Sequence, residues 1–319
     1  MSEAPVVTEV DGHVLQLTNL DKVLFPDGTT KAELISYHLA MAKTWLPHLK
    51  DRCITRLRFP HGTEDDSFYE KNAPRGTPEW VRTIPVLAQD SVIDYVAAED
   101  AATLVWLANL AAIEVHTPQW RSTDAPQARR EPIHLEGEDA VRASTVVVDL
   151  DPGPGVTMHQ ICQAAMITAT ELAGQGLVPF VKTSGSKGIQ LVASIEPTPW
   201  RTVVHEMQAL GKLLERRHKD VFTTTMAKQA RTNLIYFDAL QNRGDRNTIT
   251  VYSCRGREQP RVSTPVTWDE IAAVGPDDTL VFTIDQVPGR VAELGDLWAP
   301  LVGDELASPL PRWASGPTA

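Results

Sequence analysis

One stretch limits what this chain can fold into: Thr145 to Gly155, where three valines run into Asp149, Leu150, Asp151 and then Pro152-Gly153-Pro154-Gly155. Val146, Val147 and Val148 are β-branched and apolar, which favours a buried, extended backbone. Side chains alternate along a strand, so Asp149 and Asp151 share a face near its end. Two carboxylates on one face repel unless a cation lies between them. Their hard oxygens suit Mg²⁺ or Mn²⁺. The plain alternative is a strand that ends in solvated carboxylates.

The surrounding sequence mixes helices and strands without a regular βαβ alternation. Thr30-x-x-Glu33 is a capping box, and Leu34, Tyr37, Met41 and Trp45 follow at helical spacing to about Leu49. Cys53 to Phe59 reads as a strand, with Arg52, Arg56 and Arg58 on one face, either a solvated stripe or one that meets phosphates. Phe68 and Tyr69 stand near Lys71, as core packing or as a base-stacking platform. The apolar run 101–114 reads as one helix ending near His116.

Thr157-x-x-Gln160 opens another helix, which ends by Gly174. Strands are expected over Val178 to Lys182 and Ile189 to Ser194. Between them, Ser184, Ser186 and Lys187 lie in a glycine-rich loop whose backbone and side chains can gather on an anion. A simple hairpin turn is the alternative, and the Walker A spacing is absent. Trp200 to Arg217 is an amphipathic helix. Asn233 to Phe237 is a strand ending in Asp238, with Gln241 just beyond. Thr248 to Ser253 is strand-like and leads to Arg255-Gly256-Arg257; Trp268 begins a short helix. The expected class is α+β, with two β-sheets flanking a cleft and helices around them.

At 319 residues and 42% hydrophobic composition, the chain can bury a large core. We expect a flexible start over residues 1–12, one domain over 13–302, and a loose tail over 303–319 that is rich in Pro, Ser and Ala. No run of 18 apolar residues and no basic-then-apolar leader occurs, so a soluble cytoplasmic protein is expected. Cys53, Cys162 and Cys254 have neither zinc spacing nor a disulfide pattern and read as small buried hydrophobes. The net charge of −11 argues mildly against nucleic acid. Phosphates respond to a local patch, though, and basic clusters occur at Arg52 to Arg58, Arg216 to Lys219 and Arg243 to Arg261.

Asp149, Asp151 and Asp238 all end strands in this reading, near a Ser/Lys loop and an Arg-Gly-Arg. Two metal ions held by carboxylates stabilise the attacking and leaving oxygens of a phosphoryl displacement, and a basic loop holds the departing diphosphate. These parts suit nucleotidyl transfer from a nucleoside triphosphate.

An ordered set of segments adds to this. It comprises Leu17-Thr18-Asn19-Leu20-Asp21-Lys22-Val23-Leu24-Phe25-Pro26, Phe68-Tyr69-Glu70-Lys71-Asn72-Ala73-Pro74 and Leu104-Val105-Trp106-Leu107-Ala108-Asn109-Leu110. Glu114-Val115-His116, Val148-Asp149-Leu150-Asp151-Pro152-Gly153, Ser184-Gly185-Ser186-Lys187-Gly188, and Phe237-Asp238 with Gln241-Asn242 follow. In these the chain resembles the archaeo-eukaryotic primase superfamily, specifically the polymerase domain of bacterial ligase D and its stand-alone primase-polymerase relatives, over about residues 14–275.

The resemblance implies a template-dependent polymerase that adds nucleotides, preferring ribonucleotides, to 3′ ends at short gaps or breaks in end joining or gap filling. It implies two Mn²⁺ (or Mg²⁺) ions on Asp149, Asp151 and Asp238. His116, Ser184, Lys187, Gln241 and Arg255 would contact the nucleotide, with Ser186 and Gln190 beside them. Phe68 and Tyr69 would meet the template-side base or downstream duplex, and Lys22 and Lys31 the DNA, with Arg56, Arg58 and Lys71 on the same face. The expected partners are gapped or broken DNA, NTP or dNTP, a separate ATP-dependent DNA ligase and a Ku-type end-binding protein. A monomer in the cytoplasm, associated with the nucleoid and not with membrane, is expected.

No ligase or nuclease module fits in this length, so a stand-alone polymerase or an excised domain is expected. The chain departs from the family at Gln190, where ligase D domains usually carry His, and at Leu57, where they carry Lys. The first bears on triphosphate binding, the second on recognition of a 5′-phosphate. The alternatives are a haloacid-dehalogenase-type phosphatase, which also ends an apolar strand in Asp-x-Asp but wants Thr or Val where Gly153 stands, and a catalytically weak DNA-end-binding module.

Overall fold

The computed structural model describes residues 4–88, 91–125 and 132–314. The valine run lies in the strand Arg142–Pro152, antiparallel to Ile189–Pro199 on one side and to Ile235–Asp238 on the other. Phe180–Thr183, Pro265–Val266 and Phe222–Thr223 complete a six-stranded sheet. Val146, Val148 and Leu150 face a core covered by helices Met158–Gly174 and Trp200–Arg217. Val147 faces the other way, into a core shared with helices Lys31–Leu49 and Ala101–Asn109. A strand buried on both faces requires an unbroken apolar run, which is what the sequence supplies.

A second, four-stranded sheet runs in the order Thr248–Ile249, Ala112–Thr117, Thr55–Arg58, Phe68–Glu70. The two sheets flank a cleft of about 920 Å³, as the sequence led us to expect. A small sheet of Ser91–Val96, Thr83–Ala88 and Ile133–His134 has its own core around Tyr95, Trp120 and Trp200. The capping boxes at Thr30 and Thr157 are both formed, and all three cysteines are buried and free. No helix among the described residues is long and apolar enough to cross a membrane.

Four expectations need correction. The apolar run 101–114 is a helix followed by a strand: the helix stops at Asn109, Ala111 takes φ 56°, and Ala112–Thr117 enters the sheet. An apolar run carries no period that separates a buried helix from a buried strand. The start is not loose from residue 4 on. Val6–Val10 pairs with His13–Leu17 across Asp11-Gly12, both at positive φ, as an Asp-Gly hairpin turn requires. Residues 1–3 lie outside the described residues.

Nor is the tail loose up to residue 314. Glu196 donates its N–H to the Ser308 carbonyl at 3.0 Å. The Glu206 carboxylate accepts from the backbone N–H groups of Trp313 and Ala314 at 2.7 and 2.9 Å, and Leu310 and Trp313 pack on the core behind the large sheet. Residues 315–319 lie outside the described ones.

Last, Arg56 is not at a surface that could meet DNA. It is 0% exposed and donates to Glu70 Oε2 at 3.2 Å and to the Asn72 carbonyl at 2.5 Å. Arg58 shares its face, as alternation required, and takes the other oxygen of Glu70 at 3.0 Å. Alternation told which residues share a face, but not that neighbouring chain covers that face. Arg56→Ala deletes a buried side chain and the donor of the Asn72 carbonyl, while Glu70 keeps Arg58, so a cost of about 2 kcal/mol is expected. The substitution should leave the salt dependence of DNA binding unchanged. Urea unfolding and DNA titrations at several salt concentrations check both halves.

Candidate active site

Strand register assembles one end of the cleft. Asp238 lies directly opposite Asp149, Asp149 opposite Gln190, and Gln190 opposite Lys182, so an acid, an acid, an amide and an ammonium form one row across four adjacent strands. Asp151 is one step further along the central strand, opposite Tyr236. The row is laced together. Gln190 Nε2 donates to Asp149 Oδ1 at 3.0 Å, and Lys182 Nζ donates to Gln190 Oε1 at 2.5 Å, to Ser263 Oγ at 2.6 Å and to the Ile249 carbonyl at 3.1 Å. Asp238 accepts from the Leu240 N–H at 3.0 Å and from Gln241 Nε2 at 3.3 Å.

The electrostatics of the row are strained. Burial pushes the Asp149 carboxyl up to about 7, repulsion from Asp151 and Asp238 adds to this, and the Gln190 hydrogen bond works against it. Asp151 is also raised, first by burial and then by Asp238, with Arg231 and Arg255 opposing. Burial brings the Lys182 ammonium down to about 7 against the pull of Asp149. No three His, Cys, Asp or Glu side chains among the described residues form a preformed metal cage. The donor set still fits a hard divalent cation. Asp149 is buried, Asp151 and Asp238 are half-buried beside it, and Asp238 lies close enough to raise both of the others.

Two glycines are required here by close approach. A Cβ on Gly188 would lie 2.7 Å from the Leu150 carbonyl oxygen, and one on Gly153 would fall 1.7 Å from that of Arg231. The Ser184–Gly188 segment is the turn of a hairpin and is closed by its own serine. Ser184 Oγ accepts from the N–H groups of Gly188 at 3.1 Å and Ser186 at 3.3 Å. Lys187 is exposed and lines the cleft.

The facing wall comes from the four-stranded sheet. Alternation along Ala112–Thr117 puts Glu114 and His116 on one face. Glu114 is buried and accepts from His116 Nε2 at 2.8 Å, Arg255 Nη1 at 3.1 Å and the Gly256 N–H at 3.0 Å. Burial opposes its charge, but His116 and Arg255 prevail and hold its carboxyl below the usual range. His116 itself is lowered, by burial first, with Glu114 opposing. Lys228, Arg231, Arg257 and Arg261 also line the cleft, so a basic wall coexists with a net charge of −11.

The expected DNA-facing residues divide. Phe68 and Tyr69 are 50% and 56% exposed, and the Tyr69 hydroxyl is 3.5 Å from the Asn247 amide at the cleft lining. Lys71 donates to the Asp245 carbonyl at 3.4 Å. Lys31 is buried and donates to the Asn109 carbonyl at 2.9 Å. Its ammonium is lowered by burial and then by Lys22 and Arg58, so each of those two cations lies within repelling distance of it. Arg56 and Arg58 both pair with Glu70, but only Arg58 keeps part of its side chain exposed. Gln190 lines the cleft but has both ends of its amide engaged.

A profile described as LigD, primase-polymerase domain, matches residues 30–298. The chain belongs to the LigD primase-polymerase family. It is 36% identical over 292 residues to the multifunctional non-homologous end joining protein LigD of Mycolicibacterium smegmatis, covering 91% of this chain and 36% of that protein. It is 37% identical over 293 residues to the LigD of Mycobacterium tuberculosis H37Rv, covering 90% and 37%. It is 30% identical to the bifunctional LigD of Bacillus subtilis over 285 residues, covering 88% and 43%. The chain thus spans little more than a third of the mycobacterial relatives. A solved polymerase domain from Mycobacterium tuberculosis ligase D, in complex with DNA, superposes with a TM-score of 0.82 at 36% identity, covering 91% of this chain and 98% of that one.

Within this LigD primase-polymerase fold, Lys182, Lys228 and Arg231 line or brace the site without a sequence signal of their own, while Glu114 and Arg261 were legible only as members of a motif and of a basic cluster. Glu114 sits two residues before His116, so strand alternation could have flagged it. Reading 101–114 as one helix hid it.

Proposed function

We propose that this chain is a template-directed nucleotidyltransferase of DNA end joining that extends 3′ ends at short gaps or breaks. The observation that carries this reading is the row Asp238, Asp149, Gln190, Lys182 set across a cleft from His116 and Arg255, on a LigD primase-polymerase fold. The phosphatase alternative is not favoured, since that fold accounts for the Asp-x-Asp strand.

Asp149, Asp151 and Asp238 would hold divalent ions, two of Mn²⁺ or Mg²⁺, with Mn²⁺ preferred. When bound, such ions supply positive charge to the attacking 3′ oxygen and the leaving diphosphate. The protein's own groups do the rest. Lys187, Ser184, Ser186 and Arg255 hold phosphate oxygens. His116 and Gln241 position the nucleotide, and Glu114 fixes His116 and Arg255 relative to each other. Gln190 orients Asp149 and so acts on the triphosphate through the carboxylate row. Phe68 and Tyr69 offer π faces to bases, with Lys71 beside them. Lys22, Lys31 and Arg58 form a cationic group for the 5′-phosphate of a gap, which offsets the missing lysine at Leu57. Ribonucleotides are the preferred substrate. A separate ATP-dependent ligase and a Ku-type protein complete the pathway, and the protein acts as a monomer at the nucleoid.

Primer extension on a gapped duplex, with NTPs or dNTPs and Mn²⁺, tests this. Templated additions, faster with NTPs and with a 5′-phosphorylated gap, are expected. Triphosphate hydrolysis without extension would support the phosphatase, and DNA binding with neither activity the end-binding module.

A further inference from the structure

Lys182 is 2% exposed, and an ammonium offers three N–H groups and no acceptor. Each finds an oxygen, and the three oxygens come from three different segments. Gln190 Oε1, at 2.5 Å, belongs to the neighbouring strand of the large sheet. The Ile249 carbonyl, at 3.1 Å, belongs to the four-stranded sheet, where Ile249 lies opposite His116. Ser263 Oγ, at 2.6 Å, follows the strand Arg261–Val262 and donates in turn to the Thr183 carbonyl at 3.0 Å. A group that links an ammonium to a carboxylate must accept at one end and donate at the other. The Gln190 amide does so, with Nε2 on Asp149 at 3.0 Å. One continuous path, Asp149, Gln190, Lys182, Ile249, His116, therefore runs from the carboxylate side of the cleft to the facing wall.

Among the described residues that line the cleft, Lys182 is absent. It lines a separate cavity of about 70 Å³ with Val147, Val192 and Trp298, and Thr248 and Ile249 border both spaces. The two-residue strand Thr248–Ile249 is thus the partition between them, and Lys182 fastens it from the side away from the cleft. We propose that Lys182 is a positioning residue that sets the spacing between the Asp149 carboxylate and His116. This rests on the nucleotidyl-transfer reading above. Hydrogen bonds from a charged donor are about twice as strong as neutral ones. A reacting geometry displaced by about 1 Å can cost about a hundredfold in rate. A second tie joins the same two sheets further back along the central strand. Thr145 Oγ1 donates to Gln119 Oε1 at 2.9 Å, and Gln119 Nε2 to Thr248 Oγ1 at 3.1 Å. Loss of Lys182 should therefore disturb the spacing at the Asp149 end without unfolding the chain.

The test compares wild type, Lys182→Met, Gln190→Leu and the double variant; methionine has a similar length and no donor. Primer extension with Mn²⁺ gives kcat and KM, and thermal melts report folding. Proton NMR of the imidazole rings in the metal-free protein, with the His116 signals assigned from a His116→Gln sample, reports on the far wall. Lys182→Met should lower kcat about a hundredfold and leave the nucleotide KM within about threefold, since Lys187 and Arg255 are not bonded to it. The double variant should be no slower than the slower single one, because both substitutions break one path. Gln190→Leu should move the His116 signals in the wild-type background and move them no further once Lys182 is replaced. Additive losses in kcat, or His116 signals that respond to Gln190→Leu equally with and without Lys182, overturn the proposal. A lower melting temperature with kcat unchanged marks a merely structural lysine and overturns it too. Should Lys182→Met not fold, Gln190→Leu decides, and unmoved His116 signals overturn the proposal. A wild type that extends no primer defeats the nucleotidyl-transfer reading, while the His116 signals still decide whether Lys182 couples the two walls.

Discussion

Asp149→Asn should abolish primer extension and at the same time raise the melting temperature of the metal-free protein at neutral pH. The two effects have one cause. Asp149 is 7% exposed, faces Asp238 across the strand pair and shares its face with Asp151. Its folded pKa of about 7 lies well above its ordinary 3.8, so the native state resists its ionisation. Stability is therefore fully present below about pH 4, falls as the pH rises towards 7, and stays reduced above that. A shift of about three units corresponds to about 4 kcal/mol as an upper figure, shared with its coupled neighbours. Asparagine keeps an oxygen for the Gln190 amide and removes the charge. We expect a gain of about 2 kcal/mol at pH 7.5, shrinking towards pH 4, and a loss of activity on the order of a thousandfold or more. Thermal melts at both pH values and extension assays measure these. Near wild-type extension, or a lower melting temperature at pH 7.5, would sink the assignment.

Glu114→Ala should act in the opposite sense on stability. This carboxylate accepts from His116, Arg255 and Gly256 from a site 4% exposed. Without it the Arg255 guanidinium stays half-buried opposite Arg261 and loses its one ion pair among the described residues. Breaking a buried pair from one side costs about 3–5 kcal/mol, and we expect a loss near 3 because Arg255 retains some access to water. Since the folded pKa of Glu114 lies below its ordinary 4.5, its contribution is present above that range and disappears as the pH falls through the depressed value. The gap between wild type and variant should therefore be widest at neutral pH and close in acid. The nucleotide KM should rise by about tenfold or more, because His116 and Arg255 lose their common anchor. Urea unfolding at pH 7 and in acid, with steady-state kinetics, checks this. Equal stabilities at pH 7 would refute it.

What the sequence carried was local. Alternation placed Asp149 and Asp151 on one face, and Thr30 and Thr157 announced their helices, because each of these depends on neighbours within a few residues. The ordered motifs carried the family. What the sequence withheld was pairing. That Asp238 meets Asp149 and that Gln190 bridges Asp149 to Lys182 are facts of register between distant strands. No local pattern states register. Arg56 shows the same limit: its shared face with Arg58 was legible, and the Glu70–Asn72 segment that buries it was not. The end of the chain failed for a related reason. A Pro- and Ser-rich composition weakens local structure, yet Glu206, a hundred residues away, supplies an acceptor that fixes it.

The two walls of the cleft differ in stiffness. Asp149 and Asp151 ride on an 11-residue strand hydrogen-bonded on both sides and pressed between two cores, so it cannot shift without disturbing both. Arg255 and Arg261 hang from one pairing of two-residue strands, Cys254–Arg255 and Arg261–Val262, where few bonds resist small movements. An anvil thus faces a hand. Under the proposed nucleotidyl transfer, the aspartates would keep their positions while Arg255 and Arg261 have room to tighten around what enters.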